Sequence, residues 1–212
     1  MTDNASLGIG FDVQRADAEF DNVGILLAVP DTDTAAVNKV SGTGYGFHLG
    51  GLYEFSPCTR VGLSYHSQVA HRLSGTSQFY GPIANAINGG PVETSNAYTK
   101  FRLPAYTAFS VFNQVHPQVA LMGTVIYTQW NSFKTLVLNN ITGAVSPAPF
   151  EVLPSSTIQI VIPEKYRNTW NVSVGADYYV TDRITLRGAV GYDQTPVRKA
   201  YRNVQLQIMT AT

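Results

Sequence analysis

Trp170-Asn171-Val172-Ser173-Val174-Gly175-Ala176-Asp177-Tyr178 sets an apolar or aromatic side chain at every second position, with small or polar ones between. Side chains of a β-strand point alternately to opposite faces, so this stretch makes a strand with one greasy face and one polar face. The same alternation recurs in Leu7, Ile9, Phe11 and Val13, and again in Val61, Leu63 and Tyr65 against Gly62, Ser64 and His66. Working outward from these stretches, seven strands are expected, at 5–15, 44–55, 61–73, 101–112, 118–130, 167–180 and 183–193.

Their connections alternate in length. Ser56–Arg60, Asn113–Pro117 and Thr181–Asp182 are short. Pro57 and Pro117 fall in two of these, where a fixed φ favours a turn and no ladder donor is lost. The connections 16–43, 74–100 and 139–166 are long and rich in Pro, Gly, Asn, Ser and Thr. Short turns at one rim and long loops at the other are what a transmembrane barrel shows. The expected fold class is therefore all-β, a transmembrane antiparallel β-barrel. Two of the long connections hold apolar runs, Ile25–Val29 and Ile158–Ile162. Each reads first as an extension of a strand past the rim, and second as an apolar capture surface outside the membrane.

Seven strands alone leave an open sheet, and lipid does not tolerate unpaired backbone edges, so the chain is expected to be incomplete. Met1-Thr2-Asp3-Asn4-Ala5-Ser6 is unlike an export signal, which implies either a mature form or a missing start. Only 13% of the residues are charged, about half the share of ordinary soluble domains. Fourteen basic residues balance fourteen acidic ones, so no nucleic-acid partner is implied. No apolar run reaches the roughly 20 residues of a membrane-spanning helix, which leaves a barrel untouched. Cys58 stands alone, in a turn, and cannot form an internal disulfide.

Chemistry-bearing motifs are missing. There is no glycine-rich phosphate loop, no Gly-x-Ser-x-Gly elbow, no His-Glu-x-x-His and no paired-cysteine metal site. The chain is expected to be no enzyme, to carry no cofactor and to hold no metal. Of the four histidines, His48 and His66 fall on the polar, lumen-facing side, where their spacing matches no metal motif and polar lumen lining is the expectation. Asp12, Arg15, Glu54 and Arg187 are placed on that side too. Tyr45, Phe47, Tyr53, Phe55, Tyr65, Phe109, Tyr127, Trp130, Trp170, Tyr178 and Tyr192 read as an interfacial girdle on the apolar face.

Several segments in order resemble the FadL family of outer-membrane channels for long-chain fatty acids and other hydrophobic compounds. Gly44 through Phe55 resembles the family's glycine-rich strand ending in Leu-Tyr-Glu, and Arg60-Val61-Gly62-Leu63-Ser64-Tyr65-His66-Ser67 its Arg-x-Gly/Ala-Leu-x-Tyr-Arg-Ser. Leu103-Pro104, Val115-His116-Pro117-Gln118 and Tyr127-Thr128-Gln129-Trp130-Asn131-Ser132-Phe133 are similar to the next hairpin. Trp170–Val180 and Arg187–Val197 are similar to the one after.

The resemblance implies about seven strands of a parent 14-stranded, monomeric barrel in the bacterial outer membrane. That barrel would be plugged by an N-terminal hatch and pass a long-chain fatty acid or other hydrophobic molecule passively into outer-membrane lipid. Family members hold a fatty-acid carboxylate with basic residues, for which Arg15, Lys165 and Arg167 are the candidates here. With His48 and His66 they make up the expected ligand-binding set. Should the basic residues lie outside the pocket, a neutral aromatic hydrocarbon fits as well. The competing readings are a soluble lipocalin-like β-barrel with its apolar faces turned inward onto a ligand, and a general diffusion porin.

The barrel unit is expected over 1–206. After it the family continues with Pro-Asp-x-Asp-Arg-aromatic, where this chain has Leu206-Gln207-Ile208-Met209-Thr210-Ala211-Thr212. A one-base deletion in codons for Leu-Pro-Asp-Asn-Asp-Arg-Tyr yields this tail, so 207–212 is expected to be a frameshifted product.

Overall fold

The computed structural model describes residues 4–24, 34–148 and 151–198. They form eleven strands: β1 (Ala5–Gly24), β2 (Thr34–Ser56), β3 (Thr59–His66), β4 (Val69–Tyr80), β5 (Val92–Leu103), β6 (Tyr106–His116), β7 (Val119–Thr128), β8 (Thr135–Ala148), β9 (Glu151–Pro163), β10 (Thr169–Thr181) and β11 (Ile184–Asp193). All belong to one antiparallel sheet, ordered β11-β10-β7-β6-β3-β2-β4-β5-β8-β9, with β1 on the free side of β2.

The register reduces eleven segments to seven paths. β3 pairs with the C-terminal part of β2, His48 to Ser56, and β4 with its N-terminal part, Ala35 to Tyr45. The two are therefore successive pieces of one path beside β2. In the same way β5 and β6, β7 and β8, and β9 and β10 each continue one another across a short break. The seven expected strands are these seven paths, laid side by side in chain order.

The breaks fall at Ser67–Gln68, Pro104–Ala105, Gln129–Lys134 and 164–168, and they line up as a seam across the wall. Pro104 has no N–H to give a ladder. Ser67 Oγ accepts the Phe47 N–H at 2.9 Å, replacing a rung. A 3₁₀ turn, Trp130–Ser132, loops out of the third break, and Lys165 takes φ 44° in the fourth.

The short turns lie where the sequence places them, at Pro57-Cys58, Pro117-Gln118 and Asp182-Arg183. The long connections do not. Segments 16–24, 34–43, 74–80, 92–100, 139–148 and 151–163 are strand, so the expected loops are mostly sheet standing above the seam. Their small and polar composition hides alternation that is there: Ala16, Ala18 and Phe20 share one face of β1, and Arg15, Asp17 and Glu19 the other. The segment Ile158–Ile162 is a piece of β9, as the rim-extension reading has it, and Ile160 packs against the core rather than standing out as a capture surface. Residues 25–29 and the tail 199–212 lie outside the described residues.

Between β4 and β5 a helix, α1 (Pro82–Asn88), closes the top. Proline at its start needs no donor, and Gly89 at φ 73° ends it by giving its N–H to Asn85 O. Ala84, in its first turn, is fully buried. No helix among the described residues is long and apolar enough to cross a membrane, which says nothing of strands.

The two faces of the sheet change chemistry at the seam. Below it, one face carries rows of large apolar groups in register: Phe11 opposite Phe47, Leu49 opposite Tyr65, Leu63 opposite Phe109, Trp170 opposite Tyr127 and Val174 opposite Val190. These are the exposed side chains, with Phe11 at 84% and Leu63 at 55%. A patch of this extent far exceeds what a water-soluble surface carries. Above the seam that face becomes Arg15, Asp17, Glu19 and Lys39, and the opposite face turns inward, apolar side chains mixed with buried Asn38, Ser77, Thr99 and Thr142. Val40, Leu73, Ala97, Leu138 and Ile141 form a buried cluster there, with Ala16, Ala18, Phe20, Phe101 and Ile160 packed on it.

Candidate functional site

The face opposite the apolar belt is the interior of the wall, and below the seam it is paved with small and hydroxyl residues. Gly8 faces Gly50, Ser64 faces Ala108, and Ser110 Oγ lies 2.9 Å from Thr124 Oγ1. Lower down Glu54 stands opposite Arg60 in the ladder, and the Arg60 guanidinium covers the Phe112 ring at 4.5 Å. Arg187 Nε reaches Asp177 Oδ2 at 3.4 Å. Each cation here has a partner on the same face.

One cluster stands at the lower lip of the seam. His48 on β2 is opposite His66, the last residue of β3, and His66 is opposite Tyr106, the first residue of β6. The imidazoles stack at 5.1 Å between centroids and 25° between planes, and His66 lies on the Tyr106 ring at 4.3 Å and 12°. His48 Nδ1 is 3.0 and 3.1 Å from the two carboxylate oxygens of Asp12 on β1. His48 leans over β1 because Gly10 leaves room: a Cβ at Gly10 would collide with the Nε2 edge of the ring. Asp12 and His48 remain partly open to the lumen. The result is a row of polar rings on three adjacent paths, with an anion at one end.

Above it, on the same interior face, His71 is a second feature. It is buried, stacked on Phe101 at 5.1 Å, and neither ring nitrogen has a hydrogen-bond partner. Burial holds its pKa below the ordinary value of 6.5, so the neutral ring is favoured. Farther round, burial and then the neighbouring Glu164 carboxylate push the Tyr166 phenol up.

The five sequence candidates do not converge. His48 and His66 come together on the lumen face. Arg15 does not join them. It keeps the odd-numbered parity of Leu7–Val13, stands on the outer face, and binds Asp17 there at 3.2 Å. Its expected place in the lumen is corrected by that parity, since Asp12 and Arg15 lie an odd number of residues apart. Lys165 and Arg167 are exposed at the fourth break, four strands from β2, roughly 20 Å along the wall. Arg167 Nε donates to Thr195 O at 3.1 Å, tying down the segment after β11.

His71 and Tyr106 are the interior residues that sequence reading passed over. His71 lies within the expected strand 61–73 on the parity of Leu63 and Tyr65, which the break at Ser67–Gln68 reverses, and Tyr106 is placed only by the register of β6 with β3. In the aromatic set, Tyr45, Phe47, Tyr53, Phe55, Phe109, Trp170, Tyr178 and Tyr192 stand exposed on the outer face as a girdle requires. Trp130 instead sits in the 3₁₀ turn against Tyr166 at 5.8 Å.

The sequence model of a family described as outer membrane protein transport protein (OMPP1/FadL/TodX) matches residues 1–208. A 47 kDa outer membrane protein of Pasteurella multocida (strain Pm70) is 30% identical over 185 residues, covering 82% of this chain and 39% of the relative. A long-chain fatty acid transport protein of Salmonella typhi is 26% identical over 227 residues, covering 95% of this chain and 48% of the relative. Among solved structures, a Pseudomonas aeruginosa FadL homologue superposes with a TM-score of 0.73 at 27% identity, over 95% of this chain and 49% of that one. The Pseudomonas putida toluene transporter TodX shares the fold, with a TM-score of 0.63 at 16% identity, over 95% of this chain and 54% of that one. The chain spans about half the length of these proteins or less.

Proposed function

The chain belongs to the OMPP1/FadL/TodX family of outer membrane transport proteins, and from that premise we propose that it forms wall and lumen of a passive route for hydrophobic small molecules. It is an all-β outer-membrane protein of a transport family, not of a family of enzymes. The ligand class is a long-chain fatty acid or an apolar aromatic compound, and the full-length protein works as a monomer, releasing ligand to outer-membrane lipid.

The observation that carries this reading is the outer face below the seam. Seven adjacent paths present apolar side chains in register toward the outside, while the interior is small and polar. A lipocalin-like carrier has the reverse arrangement, with its apolar faces inward. A general porin needs opposed acidic and basic rings at a constriction. The charges described inside are instead met locally: Asp177 pairs with Arg187, and Asp12 hydrogen-bonds His48. Of the residues singled out from sequence, His48 and His66 are the ones we assign to ligand contact in the lumen, while Lys165 and Arg167 stand apart from them at the fourth break of the seam.

The test is reconstitution of the purified chain in detergent and then in lipid vesicles, after heat-modifiable migration on a gel has shown a folded barrel wall. A fluorescent long-chain fatty acid should bind saturably, with toluene as competitor, while sugar-driven vesicle swelling stays at background. Sugar permeation without fatty-acid or toluene binding would replace this reading with a diffusion pore.

A further inference from the structure

We propose that Asp12, His48 and His66 form a binding site for a divalent transition-metal ion of the zinc, copper and nickel class. Each offers one donor atom, and the three donor atoms lie within 4.8 Å of one another. Sequence spacing conceals the site, because the ligands come from three neighbouring strands rather than from one motif. The antiparallel register alone brings His48 opposite His66 and sets Asp12 beside them.

Donor type selects the ion. Two imidazoles and one carboxylate suit borderline first-row cations, whereas magnesium and calcium take shells of oxygen. The rings are also held in place before any ion arrives. His66 is fixed between His48 and Tyr106 by stacking on both faces, and His48 is seated over Gly10. Asp12 and His48 keep part of their surface open to the lumen, so a fourth position is left for water or another small donor. An ion bound here would tie β1, β2 and β3 together at the lower lip of the seam, where Ser67–Gln68 interrupts the ladder. The binding face is the interior one, away from the lipid belt.

The experiment uses the whole chain folded in detergent and stripped with a chelator. Zinc, nickel and copper are titrated calorimetrically, with magnesium and calcium as controls. One site per chain is expected for the first three ions and none for the last two. Removing a donor, in His66→Gln or Asp12→Asn, should weaken binding by about tenfold or more, since even indirect partners of metal ligands matter that much. His116→Ala, at the end of β6 beside a rim turn, should leave the affinity unchanged.

Copper loading gives a readout that a purely structural role for these residues would not move. Its electron paramagnetic resonance spectrum should show coupling to two nitrogens in the parent and to one in His66→Gln. Absence of a binding isotherm, equal affinity in His66→Gln and the parent, or a spectrum without two-nitrogen coupling would each overturn the proposal and leave Asp12–His48 as a hydrogen-bonded pair beside a ring stack.

Discussion

The wall below the seam and the wall above it are the same sheet with their faces exchanged. β1 and β2 cross from one to the other without a break. On the outer side of β1 the sequence goes from Val13 to Arg15 in one step of two residues; on the inner side it goes from Asp12 through Gln14 to Ala16. Backbone pairing is indifferent to the exchange, and the ladder from Ala5–Tyr53 to Gly24–Thr34 runs on in unbroken register. What changes is the medium. Below, the outer medium is hydrocarbon and apolar groups face out; above, it is water and they turn in to Leu73 and Leu138. Apolar groups go wherever water is not, and the sheet merely offers two sides.

Substitutions on the two sides of the seam tell the two media apart. The largest effect belongs to the buried cluster above the seam, where Leu73→Ala should cost about 2–5 kcal/mol in denaturant unfolding, the range for emptying a fully packed leucine site. A cost under about 1 kcal/mol would mean that the upper half has no water-type core. Next comes Leu63→Arg on the outer face below, expected to cost about 2–4 kcal/mol in a bilayer. The same change at the exposed Ser74, on the outer face above, should cost almost nothing. Equal penalties at the two sites would erase the difference in medium.

A smaller effect is tied to pH. Burial lowers the His71 pKa, so below about pH 6.5 the unfolded chain takes up a proton more readily than the folded upper half does. Its contribution is present above that pH and is lost as pH falls toward the depressed value of the folded state. The denaturation midpoint should therefore drop between about pH 7.5 and 5.5, and His71→Phe should flatten that part of the profile. The smallest effect is at Glu19–Lys39, an exposed pair at 3.0 Å. The hydrogen bond to Glu19, and then its charge, hold the Lys39 pKa up. In Glu19→Gln the Lys39 ammonium should titrate lower by NMR while the unfolding midpoint stays where it was.

Much of the lower half was legible in the sequence because each of its strands needs one apolar face, and Leu7–Val13 or Trp170–Tyr178 shows the period of two directly. The upper half was not, because its strands alternate small with charged groups. Arg15-Ala16-Asp17-Ala18-Glu19-Phe20-Asp21 alternates perfectly, but alanine opposite acid reads as polar loop until a core is known to lie on one side. The breaks at Ser67–Gln68 and Pro104–Ala105 were equally hidden, since each removes only a rung or two. At the candidate site, His48 and His66 were readable as lumen-facing from parity. Their contact was not, because it depends on which residue of β3 sits opposite which residue of β2. Arg15 was misplaced by one residue of parity, and a strand forgives no such slip.

The seam has a mechanical meaning. A β-sheet is stiffest along a regular ladder, and here regular pairing lapses on four neighbouring paths, leaving isolated backbone bonds such as Ser67 N–H to Phe47 O, Gln129 N–H to Ala105 O and Glu164 N–H to Lys134 O. The lapses make a crease. On β1 and β2 the fabric is whole, so the crease stops there and those two strands act as its spine. Along that crease, at Ser67, Pro104, the 129–134 turn and Lys165, the two halves are joined by fewer rungs, while the β1–β2 ladder joins them in full.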